Sequence, residues 1–233
     1  GRARHDPVAD LRDALPKAQG KNFAALTKPD DIAGLLHAID GYQGSSVTRA
    51  ALLLSPLVFQ RPGEVRQAEW ANIDLEAGEW RVPAPMQKLT KAQKESSRTP
   101  DHVVLLSSQA VAILREIHGL TGRGRYVFPG ARDRDRPMSN NAVRSALRRL
   151  GYTGEEMTAH GFRHMASTRL HEMSVWNTDA IEAALSHKMP GVRGVYAGRA
   201  QFLDERRRMM QAWADYLDAL RAGGDVGPIL KAG

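Results

Sequence analysis

The sequence predicts a mainly α-helical domain carrying one small antiparallel β-sheet, an α+β fold. Three observations predict it. Apolar residues recur at helical spacing through most of the stretch from residue 28 to 221. Two short runs near the middle, Glu79–Pro83 and His102–Leu106, read as strands. The 233 residues are 42% hydrophobic, enough to bury one core.

The elements follow in order. Residues 1–27, with Pro7, Pro16 and Gly20, read as a linker or N-terminal extension. Lys28-Pro29-Asp30-Asp31 then opens a helix, because proline and two acids suit a first turn. Ile32, Leu35, Leu36 and Ile39 share one of its faces. The run 46–59 is apolar all round and belongs in the core, with Pro56 bending or ending it. Arg61-Pro62-Gly63-Glu64 starts a short helix. Between the two strands, residues 86–101 read as a long polar hairpin tip bearing Lys88, Lys91, Lys94 and Arg98. Helices are expected near 107–118, 140–150, 159–173, 178–186 and 203–221, and Tyr126–Phe128 as one further strand. The domain thus covers 28–222, and 223–233 reads as a C-terminal tail.

Composition narrows the chemistry. With no cysteine there is no disulfide, thiolate metal site or thiol nucleophile. No apolar run reaches the length of a membrane span and the first residues lack a signal-peptide pattern, so a cytoplasmic protein is expected. The net charge of +7 favours a polyanionic partner.

Four groups of residues carry candidate chemistry. Pro62 at the first helical position leaves Arg61 at the positive end of a helix, where a guanidinium adds bidentate donors for phosphate, and Glu64 stands ready to orient it. His160 and Arg163, three apart in T-A-H-G-F-R-H, are neighbours on one helix surface behind Thr158 as N-cap; together they suit phosphate binding and proton transfer. His164 beside them reads as packing. His187 closes a helix in L-S-H-K, and Tyr196 follows nine residues later past Pro190, Gly191 and Gly194. A phenol becomes a nucleophile only with its proton removed and its oxyanion stabilised, which cationic surroundings favour. A lysine on the hairpin tip has the reach to protonate a leaving oxygen. Taken singly, each group has an ordinary structural explanation.

Their order does not. An R-x-x-E helix start, a lysine-bearing hairpin, H-x-x-R, L-x-H and a tyrosine, in that sequence, resemble the tyrosine recombinase or phage integrase family, and most closely the P4-type integrases of prophages and genomic islands. RPGEVRQAEWANID, TAHGFRHMASTRL and ERRRMMQAWADYL carry the resemblance, which spans about residues 28–221. It implies a tyrosine recombinase catalytic domain. Arg61 and Arg163 would hold the scissile phosphate, assisted by His187. Tyr196 would attack phosphorus to give a 3′-phosphotyrosyl link, His160 would move the proton, and Lys88 would protonate the 5′ oxygen, with Lys91 the alternative lysine. It also implies double-stranded attachment-site DNA as partner, a tetramer on that DNA and no cofactor. Arg144 and Arg148, on the helix near 140–150, are candidate contacts to the DNA backbone. The competing readings are a type IB topoisomerase-like enzyme, a catalytically inactive DNA-binding relative, and a metal-dependent nuclease built on the histidines. The last lacks convincing ligand spacing.

Overall fold

A computed structural model describes residues 23–187 and 202–223. The architecture is the expected one, helices around a single small sheet.

Helix α1 spans Pro29–Asp40 and buries Ile32, Leu35, Leu36 and Ile39, the face read from the sequence. Helix α2, Ser46–Val58, is the central strut: Ser45 accepts a hydrogen bond from the Thr48 N–H at its start, and Ala51, Leu52, Leu54 and Val58 are buried. Helices α5 (Ser108–Thr121), α6 (Ala142–Arg149) and α7 (Gly161–Met173) pack on it from different sides. Pro56 stands inside α2, which ends two residues later at Val58 and is followed by Phe59 in a left-handed conformation (φ 36°, ψ 33°). Helix α9, Leu203–Arg221, crosses α1 and α2, and its buried Trp213 donates to the Pro56 carbonyl at 2.8 Å, satisfying an acceptor at the α2 terminus. Helix α3, Pro62–Arg66, carries Pro62 at its first position. Helix α8 spans Thr178–Ala184 and is capped by Asn177.

The sheet has the order β1-β2-β3, all antiparallel, with β1 Ile73–Asp74, β2 Glu79–Val82 and β3 His102–Leu105. Trp80 faces Val104 and Val82 faces His102, and all four are buried. Period-two side-chain alternation places them on the same, core-facing side.

Three expectations need correction. Strand β1 escaped the sequence reading because two residues carry no periodicity. Tyr126 forms only an isolated bridge with Glu69, and Val127 and Phe128 are buried as single side chains beside it. The polar tip between β2 and β3 is also structured: a 3-10 turn at Ala84–Met86 precedes helix α4, Lys91–Glu95. Thr90 and Gln93 cap α4 reciprocally, the Gln93 N–H to Thr90 Oγ1 at 3.4 Å and the Thr90 N–H to Gln93 Oε1 at 3.2 Å.

Candidate active site

The site forms where the α2–α3 turn, the start of α7 and the end of α8 meet. Arg61 enters it as the residue before α3. The Glu64 carboxylate accepts from Arg61 twice, from the backbone N–H at 3.1 Å and from Nη1 at 2.8 Å. Glu64 is only 2% exposed, so this pair is well shielded and the guanidinium plane is set from behind. Arg61 Nη2 donates to the Ser186 carbonyl at 3.3 Å.

Arg163 projects from the first turn of α7 and is 4% exposed. It donates to the carbonyls of Phe59, at 3.4 Å, and Leu185. The two arginines thus hold the α2–α3 turn and the α8 terminus together. The backbone pays locally for this arrangement. Among the described residues, the non-glycine positive-φ positions are Phe59, Ser174 and Ser186, and two of these three supply carbonyls to the site arginines. Left-handed backbone at a bulky residue such as Phe59 persists only where surroundings impose it, and such positions gather at functional sites.

His160 stands one turn ahead of Arg163. The helix opens later than the sequence suggests, with His160 at the N-cap position, but Thr158 still accepts from the Gly161 N–H at 3.0 Å. Burial, then the charges of Arg163, Arg61 and Lys88 and the neighbouring His164, push His160 down to about 4. Its imidazole is therefore neutral at physiological pH and able to accept a proton. Arg163 is lowered to about 10, first by burial and then by Arg61. Arg61, Arg163 and Lys88 thus bring positive charge together beside His160, an arrangement that suits an anion.

Lys88 lies in the bend after the 3-10 turn, exposed, with its charge acting on His160. Lys91 is instead the first residue of α4, is largely solvated and pairs loosely with Glu95 at 3.9 Å. Structure therefore separates the two lysines that the sequence left together. His187, just after α8, is hydrogen-bonded through Nδ1 to Glu182 Oε2 at 2.6 Å. Tyr196 lies outside the described residues. Of the candidate DNA contacts, Arg144 is exposed on α6, whereas Arg148 donates to the carbonyls of Tyr152 and Met157 and clamps the following loop.

Two participants were missed by sequence reasoning. Phe23, placed in the linker, lays its ring 4.3 Å from that of His160, while its carbonyl lies 3.1 Å from His164 Nδ1. The next residue, Ala24, accepts from the Thr158 N–H and hydroxyl. This short extended segment therefore covers the start of α7 and contributes to the burial of His160. Glu182 is the other; five residues ahead of His187, it matches no recognisable motif.

Residues 26–201 match the sequence profile of the phage integrase family. The chain is 40% identical over 225 residues to the integrase of Enterobacteria phage P4, covering 93% of this chain and 50% of that protein. It is 39% identical over 222 residues to the putative protein IntB of Escherichia coli K12, covering 93% of this chain and 56% of that protein. It spans about half the length of the curated relatives it matches. Among solved structures, it resembles an integrase from mycobacterium phage Brujita (TM-score 0.59, 21% identity, 97% of this chain and 68% of that one). It also resembles lambda integrase in a tetramer bound to a Holliday junction (TM-score 0.53, 19% identity, 84% and 52%).

Proposed function

The chain belongs to the phage integrase family, and from that membership we propose that it is the catalytic domain of a site-specific DNA recombinase that integrates or excises a mobile element. The observation that carries the reading is the convergence of Arg61, Arg163, His160 and the Lys88 charge on one surface, with Glu64 buried behind. That set suits one anionic group with a proton to be moved beside it.

The proposed reaction is a balanced transesterification. Arg61, Arg163 and His187 hold the non-bridging oxygens of the scissile phosphate. The Tyr196 phenol oxygen bonds to phosphorus and its proton passes to His160, whose neutral form accepts it. The bond from phosphorus to the 5′ oxygen breaks, and that oxygen takes a proton from Lys88. The products are a 3′-phosphotyrosyl link and a free 5′-hydroxyl, and reversal rejoins DNA without ATP. Charge accumulating on the phosphoryl oxygens in the transition state is where preorganised guanidinium donors contribute most. Burial first, and then the neighbouring cations, keep His160 unprotonated; a bound phosphate offsets the second of these, so its basicity rises when it is needed. We place the protein in the cytoplasm with double-stranded attachment-site DNA as its partner and a homo-tetramer as the working assembly, the arrangement named for the lambda integrase neighbour.

A suicide substrate tests this. DNA flanking the source element is nicked near the cleavage point so that the departing strand escapes. It is incubated in EDTA with wild type and Tyr196→Phe, and resolved on a denaturing gel. A covalent adduct from wild type alone is expected. An adduct that survives in Tyr196→Phe overturns the assignment of the nucleophile.

A further inference from the structure

Lys88 is exposed, yet the chain on either side of it is tightly built. The 3-10 turn Ala84–Met86 runs into Gln87, whose N–H donates to the Ala84 carbonyl at 3.2 Å. Gln87 is only 2% exposed. Its Nε2 donates to the Val82 carbonyl at 2.9 Å and to the Pro100 carbonyl at 3.2 Å. Both amide hydrogens are thereby used, which fixes the orientation of the side chain. Val82 is the last residue of β2, and Pro100 lies just ahead of β3. One buried side chain therefore closes the base of the whole excursion between these strands. The Gln87 carbonyl in turn accepts from the Leu89 N–H at 3.0 Å. Such a bond, from one residue to the second after it, closes a three-residue turn, and Lys88 is its apex. Thr90 then caps α4. Lys88 is thus held between a buried anchor and a capped helix.

We propose that Gln87 is a positioning residue for DNA cleavage: by tying Val82 to Pro100 it holds the Lys88 turn in place, so that the lysine reaches the leaving 5′ oxygen. This rests on the recombinase reading, and on the part that reading gives Lys88, and adds a residue to it. The charge of Lys88 acts on His160 together with those of Arg61 and Arg163, which puts the turn at the phosphate site. A proton donor works only within hydrogen-bond reach of the oxygen it serves. Lysine has a long, flexible stem, so the volume its Nζ searches is set by how firmly its backbone is held. Gln87 acts through that backbone.

Gln87→Met keeps the length of the side chain and removes both donors. In the suicide-substrate assay it should form the adduct about tenfold more slowly than wild type, a smaller loss than the roughly 10²-fold expected when the proton donor itself is removed. On a 5′-phosphorothiolate substrate, whose sulfur departs without a general acid, variant and wild type should react alike. A merely structural role would lower both rates equally. In a Lys88→Ala background, Gln87→Met should add no further loss, because the two residues act as one unit. Gln87→Asn, which keeps the amide but shortens its reach, serves if Gln87→Met does not fold, and should show the same selective loss on the oxygen substrate. Backbone ¹H–¹⁵N nuclear Overhauser effects test the clamp without DNA. Order at Lys88 and Leu89 should fall in the variant, while Trp80 and Val104, in the paired strands, keep theirs. An unslowed variant, an equal loss on both substrates, an additive loss with Lys88→Ala, or unchanged order at Lys88 overturns the role given to Gln87. If order falls as expected and wild type forms no adduct, the recombinase reading fails while the Gln87 clamp stands.

Discussion

Two arginines are almost wholly buried, Arg163 at 4% exposure and Arg206 at 1%, and they do different things. Arg206, on α9, donates to the Val103 carbonyl of the edge strand β3 and ties the helix to the sheet. Arg163 also donates to carbonyls, but with Arg61 close enough for the two charges to oppose one another. Burial of a guanidinium is thus no mark of function in itself. What distinguishes the α7 end is that Arg61 lies close enough to Arg163 to disfavour its charge. Folding tolerates such crowding at a cost, which the phosphate of the proposed reaction would offset.

Substitutions sharpen the contrast. Arg163→Lys should reduce adduct formation by roughly 10²–10³-fold, the usual loss on removing one preorganised transition-state donor, since a lysine cannot span the same bidentate geometry. Arg206→Met, by contrast, should lower stability by about 1–3 kcal/mol through the unpartnered Val103 carbonyl, with the folded protein's cleavage rate intact. Thermal denaturation beside the gel assay checks both, and equal catalytic losses would break the comparison.

Lysine choice comes next. Lys88→Ala should slow cleavage by about 10²-fold, as expected for loss of a general acid, and Lys91→Ala should leave it unchanged. A 5′-phosphorothiolate substrate, whose leaving sulfur needs no proton, should restore Lys88→Ala; failure of that rescue would remove Lys88 from the role. Glu64→Ala should cost about 3 kcal/mol, because removing one partner of a buried pair strands the other charge, and should also weaken cleavage through a loosened Arg61. Urea denaturation reads the first effect.

The smallest effect concerns pH. His160 is depressed in the folded protein, to about 4 from an ordinary 6.5, so the unfolded chain binds more protons between those values. Stability from this group is complete above about 6.5 and declines as pH falls toward 4. Phe23→Ala removes part of the ring's cover, so the His160 midpoint should rise and the decline in melting temperature should become shallower. A midpoint that stays in place would show that Phe23 contributes nothing to the burial of His160.

Much of this protein was legible in its sequence, and the reason is locality. The face of α1, the proline start of α3, the hydrogen bond at Thr158 and the adjacency of His160 and Arg163 depend on residues within one or two turns. The capping box of α4 was equally local, in T-K-A-Q, and was passed over because a polar stretch between strands reads as a loop. Strand β1 left no trace because its two residues depend on β2 for their pairing.

By itself, then, the sequence determined the helical periodicity, the motif order and the residue types of the proposed phosphate site. Tertiary structure decided which of them meet. Arg163 reaches the Phe59 carbonyl across 104 residues of chain, and Phe23 reaches His164 across 141. It set Lys88 apart from Lys91, committed Arg148 to a loop, and brought Glu182 between His187 and His171. Those outcomes depend on how helices pack and turns bend, and packing joins residues whose separation along the chain leaves no periodic mark.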